Sequence, residues 1–166
     1  MPDYPRPPML RNRLYMLQVP RPGASLVFHP LQNTIVAAHV HWRDRTVLCT
    51  GNPDTCLMCK AGMRKSWQGW MPAASTRLLT PFIASLSENA GRYIQALIDQ
   101  RIDLRKCTVA LRRLGDRRSG KVEATSLLLG DKAPELPATF DAWPSILYAM
   151  GDNPKKTPLP GTISRE

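Results

Sequence analysis

The chain has 166 residues, 43% of them hydrophobic, which is enough for one ordinary core and short for two. Its 23 Lys and Arg against 13 Asp and Glu give a net charge of +10, a balance that favours polyanionic partners or an anionic surface and is silent about fold. No apolar run approaches the ~20 residues that cross a bilayer, and residues 1–8, MPDYPRPP, lack the apolar stretch of a secretory signal, so a cytoplasmic protein without a membrane partner is expected.

Residues 1–12 and 152–166 are proline-rich and are expected to remain flexible, leaving a single domain over 13–151. Its first half reads as strands at 13–19, 25–29, 34–42, 45–48, 69–71 and 77–84, short runs of β-branched or aromatic residues punctuated by turn residues. One strong helix follows. Ser85-Leu86-Ser87-Glu88 offers a capping box, and Ala90, Tyr93, Ile94, Leu97, Ile98 and Ile102 recur at helical spacing. Residues 108–114 and 121–129 then flank GDRRSG, whose glycines and aspartate suit a hairpin with a basic tip. A short second helix is expected between Asp141 and Gly151, with Trp143, Ile146, Leu147 and Met150 on one face.

Strands interrupted by one helix and closed by a hairpin predict a β-rich α+β domain. The expected form is a five-stranded barrel of the oligonucleotide-binding (OB-like) kind, with an inserted metal loop and one or two packed helices. Four cysteines in a reducing compartment point to metal or redox chemistry before disulfides. Cys56 and Cys59 form a C-x2-C pair, a spacing with which two thiolates grip one ion through a tight turn. Cys49 and a histidine could complete a closed tetrahedral set, which means structural zinc, one per chain. His39 and His41 lie two apart in an expected strand and share a face, so either could be the fourth ligand.

Other cysteine chemistries fit less well. A haem attachment needs a histidine where Lys60 stands, a zinc deaminase needs H-x-E before P-C-x-x-C, and the residues around the pair read as loop rather than as the strand-to-helix junction of a thiol oxidoreductase. Cys107 is expected to be a buried, unligated thiol and His29 an ordinary histidine.

The positive charge is concentrated. Residues 40–80 carry six bases against two acids, residues 101–121 carry eight against two, and together these account for the whole excess. Trp42, Trp67, Trp70 and Phe82 are interleaved with Arg43, Arg45, Arg64, Lys65 and Arg77, and the hairpin region adds Arg112, Arg113, Arg117, Arg118 and Lys121. Single-strand binders need both components, because bases stack on aromatic faces while Lys and Arg neutralise the backbone. Trp67 and Trp70, three apart past the cysteine loop, are expected to form a stacking platform, while Trp42, next to His41 and so on the strand's other face, could instead fill the core. At least two of these four aromatic residues are expected to be plain packing residues.

His41, Cys49 and Cys56-x2-Cys59 on a basic, β-rich chain, followed by a helix and a basic hairpin, resemble the zinc-containing single-strand DNA-binding proteins of the T-even phages over roughly residues 14–129. The resemblance implies zinc on His41, Cys49, Cys56 and Cys59, and a cleft lined by the aromatic and basic residues just named. It also implies a role in replication, recombination or mobile-element transfer, near the nucleoid of a bacterial or phage-infected cell and alongside protein partners of such an assembly. The expected ligand is single-stranded nucleic acid, DNA ahead of RNA. Alternatives are an RNA-binding module and a zinc-stapled adaptor of a larger nucleoprotein complex. No serine-histidine-acid set, paired carboxylates or phosphate-cradling glycine loop is apparent, so an enzyme is not expected.

Overall fold

Short runs of small, branched and aromatic residues set the architecture, which the computed structural model describes over residues 15–118 and 120–150. In chain order the strands are β1 (Leu17–Gln18), β2 (Ser25–Pro30), β3 (Val36–Arg43), β4 (Arg45–Leu48), β5 (Ser66–Ser75), β6 (Pro81–Leu86), β7 (Cys107–Arg113) and β8 (Val122–Leu128). A single helical turn, α1 (Leu57–Lys60), precedes β5, while α2 (Glu88–Asp99) lies between β6 and β7 and α3 (Trp143–Ala149) follows β8. The fold is β-rich α+β, and among the described residues all eight strands join one mixed sheet where a five-stranded barrel was expected. The expected flexible tails, 1–12 and 152–166, and the start of the expected strand 13–19 lie outside the described residues.

The sheet runs β1-β6-β5-β2-β7-β8, with β3 also on β5 and β4 on β3. Among the described residues only β1 on β6 is a parallel pair of strands. Among the described residues no ladder joins β8 to β1, so the sheet is open. Within it, β7-β2-β5-β6 is the spatial order of a Greek key, the fourth strand returning beside the first.

β5 is the hub. One edge takes β6 from Gly69 to Ala74, while the other takes β3 as far as Trp70 and β2 from Ala73 onward. Pro72, which lacks an N–H, sits at that handover, where only its carbonyl is used, by the amide of Leu31 at 3.0 Å.

Both faces of β5 and β6 are covered, and alternation along the strands sorts their residues. Met71, Ala73, Phe82, Ala84 and Leu86 pack with Phe28, Val109 and Leu111 under Ala90 and Ile94 of α2. Trp70, Ala74 and Ile83 face the opposite way, into a second cluster with Tyr15, Phe140, Trp143, Ile146 and Leu147. The expected apolar face of the last helix is therefore observed. Two arginines fasten this covering segment: Arg105 donates to the carbonyls of Leu31, Leu136 and Pro137 at 2.8, 3.1 and 3.1 Å, and Arg45 donates to that of Met150 at 3.2 Å.

The helix cap differs from expectation by two residues. Ser87, not Ser85, is the N-cap, accepting from the Ala90 amide at 3.3 Å, and Ser85 ends up buried in β6. Leu86 continues the strand pairing opposite Gly69, so strand pairing outcompetes an earlier helix start.

Candidate metal centre and basic surface

The segment inserted between β2 and β5 builds a small lobe around the cysteines. β3 and β4 pair antiparallel around Asp44, which turns at φ 59°, a left-handed conformation that aspartate tolerates. Asn52 then folds the following loop: its side-chain oxygen accepts from the amides of Asp54 and Thr55 at 2.9 and 3.2 Å, and its carbonyl accepts from the Cys56 amide at 2.7 Å. Cys56 caps the single turn of α1 that carries Cys59, and Gly62, at φ 73°, leads the chain out.

This folding brings one ligand atom from each of His41, Cys49, Cys56 and Cys59 within 4.8 Å of all the others. A tetrahedral zinc ion with bonds of about 2.0–2.3 Å holds its ligand atoms about 3.3–3.8 Å apart. The observed edges match: Cys49 Sγ to Cys59 Sγ is 3.5 Å, and His41 Nε2 lies 3.5 Å from Cys56 Sγ and 3.4 Å from Cys59 Sγ. The four residues form a site for a single structural zinc. The other ring nitrogen of His41, Nδ1, donates to the carbonyl of Arg64 at 3.0 Å, which fixes the tautomer and leaves Nε2 for the metal. His39 is exposed and outside the cluster, so the choice left open by the sequence falls on His41.

Backbone hydrogen bonds from Cys59 and Thr50 lower the Cys56 thiol to about 5, favouring the thiolate that zinc needs. Burial, with the neighbouring thiols of Cys49 and Cys56, pushes Cys59 up to about 11, and a cation is what would favour its thiolate. Cys107 is the buried, unligated thiol expected; burial and then the charge of Asp103 raise it. His29 is buried with Nδ1 3.3 Å from the Cys107 carbonyl, an ordinary structural histidine.

The nucleic-acid residues read from the sequence separate into surface and framework. Trp70 is 3% exposed and meets Trp143 edge-on with centroids 6.2 Å apart, and Phe82 is also buried. Trp67 is half-buried, its indole wedged over Gly69 of β5 and Gly91 of α2, where a Cβ on either glycine would strike the ring. The expected Trp67–Trp70 platform is therefore absent, because consecutive odd and even positions of a strand covered on both faces point into two different cores. Trp42 is the exposed one, at 70%.

Among the cations, Arg43, Arg64, Lys65 and Arg77 are exposed, as are Arg112, Arg117, Arg118 and Lys121 around the β7–β8 hairpin. Lys65 also reaches the Gly51 carbonyl at 3.5 Å. Arg113 is framework, its guanidinium donating to the carbonyls of Pro20 and Gly120 at 3.0 and 2.8 Å, while Arg45 is exposed and also donates to the Met150 carbonyl after α3.

A groove of about 390 Å³ runs between the hairpin tip and the start of α2, lined by Pro20, Gln68, Ser87, Glu88, Arg113 and Lys121. These residues come from four separate stretches, and no local pattern could have joined them.

The chain matches no protein-family model, no curated protein and no solved structure. No described helix is long and apolar enough to cross a membrane.

Proposed function

We propose that this chain is a single-strand nucleic-acid-binding protein, DNA ahead of RNA and with little sequence preference, built on an OB-like barrel and acting as a binder rather than a catalyst. The order β6-β5-β2-β7-β8, with α2 inserted after the third of these strands in sequence, supports the barrel reading. In such barrels the loop between the first two strands and the loop between the last two contact oligonucleotides.

The observation that carries the proposal is that each of those two loops carries exposed bases from one of the two basic stretches, while Arg77, Arg101, Arg105 and Lys106 lie outside them. The zinc lobe occupies the first, with Arg43, Arg64 and Lys65, and the hairpin tip occupies the second, with Arg117, Arg118 and Lys121. Trp42 supplies the aromatic surface on the zinc lobe. Residues 136–150 cover the outer face of β5 and β6, so stacking there is replaced by stacking on the lobe. Zinc keeps the lobe folded and so holds Trp42 in place; the ion has no catalytic part in this reading.

The test is fluorescence anisotropy with a labelled single strand across a salt series. Arg117→Ala with Arg118→Ala, and separately Arg64→Ala with Lys65→Ala, should each weaken binding about equally for different base compositions and flatten the slope of log K against log salt by about 1–2. Binding unchanged by both pairs contradicts the proposal.

A further inference from the structure

The outer face of β2, β7 and β8 is unlike the basic loops. Its residues alternate with the core positions and line up in rungs: Ser25, Arg112 and Glu123; Val27, Ala110 and Thr125; Thr108 and Leu127. Among the described residues no element covers it. Leu127 is 64% and Val27 39% exposed. One base and one acid cancel at one end of an otherwise uncharged surface, which gives a polyanion little to hold.

Arg112 and Glu123 stand directly opposite in register, yet the ion pair present among the described residues is Arg92 with Glu88, so neither of the two charges is taken up by the other. We propose that this face binds a second copy of the chain, the two copies related by a two-fold axis that runs parallel to the strands between β7 and β8.

The axis follows from the residue pattern. Rotation about it lays β8 of the second copy over β7 of the first without changing height along the strands. Arg112 then meets the partner's Glu123, Ala110 meets the partner's Thr125, and Thr108 meets the partner's Leu127. Every contact occurs twice, as a closed isologous dimer requires. Two exposed charges become two intersubunit pairs at one end, Val27, Ala110 and Thr125 form the middle, and the exposed Leu127 of each copy packs at the other end, sheet on sheet. Both hairpin tips end on the same side of the dimer, which doubles the basic track there. This last consequence rests on the nucleic-acid reading; the dimer itself does not.

Sedimentation of the full, zinc-loaded chain without nucleic acid, over a concentration series, tests the inference. The expected mass is twice 18.6 kDa. Glu123→Arg, Arg112→Glu and Leu127→Glu should each weaken self-association by more than about tenfold, while the double charge swap Arg112→Glu with Glu123→Arg restores it. Circular dichroism and zinc content confirm that each variant is folded. A wild-type chain that stays monomeric throughout, or a dimer that neither single charge reversal disturbs, overturns the proposal. Loss of nucleic-acid binding with an intact dimer would strike only the functional reading.

Discussion

Trp42→Ala separates stacking from packing more cleanly than any other substitution in this chain. The side chain is 70% exposed, so its removal should cost less than about 1 kcal/mol of folding stability. If bases stack on it, each lost stacking contact removes about 1–3 kcal/mol of binding, which is about 5- to 150-fold in Kd. Of the remaining tryptophans, Trp70 and Trp143 are 3% exposed and Trp67 is half-buried against its two glycines. Oligonucleotide binding should therefore quench the emission of Trp42, and the variant should lose the quench together with the affinity. Trp70→Ala is the contrasting control: it opens the cluster with Trp143 and should cost about 3–5 kcal/mol of stability in a urea melt. A folded, zinc-loaded Trp42→Ala protein that binds with wild-type affinity, or that is still quenched, would refute the reasoning.

Elemental analysis should show one equivalent of zinc in the native protein and none in Cys56→Ser or Cys59→Ser, whose melting temperature should fall far more than that of Cys107→Ser, which should leave zinc intact. Equal losses would mean a different ligand set. Because protons compete with zinc for the thiolates and for His41 Nε2, acidification should release the ion and lower the melting temperature in parallel, as chelation should at neutral pH. Gly91→Ala would strengthen an isolated helix by up to about 1 kcal/mol, but here the added methyl meets Trp67 and the net change should be destabilising by about 1–3 kcal/mol in a denaturant melt.

Local signals were legible wherever one stretch of chain carried its own chemistry. The cysteine spacing, the amphipathic pattern of α2, the β7–β8 hairpin and the buried face of α3 could all be read from neighbouring residues. β5 could not. Its run from Ser66 to Ser75 is buried on both sides over most of its length, so the polar alternation that marks a half-buried strand is missing and only three of its ten residues were expected. The same double burial hid the fate of Trp67 and Trp70, since a sequence shows an aromatic residue but not what lies across from it. Arg45, Arg105 and Arg113 count as charge in a sequence, while in the fold they hold backbone carbonyls from distant segments. His39 and His41 were equivalent by strand parity; the Arg64 carbonyl, 23 residues away, selects His41.

The central claim, a zinc-held lobe and a basic hairpin that together bind single strands, is tested most directly by comparing the zinc-loaded protein's affinity for a single strand and for duplex of the same length at two salt concentrations. Tighter binding to the single strand is expected, because paired bases cannot offer their faces to Trp42, with a log K that falls by several units per log unit of salt. Duplex bound as tightly as the single strand would reduce the protein to a basic surface, and no binding to either would contradict the account outright.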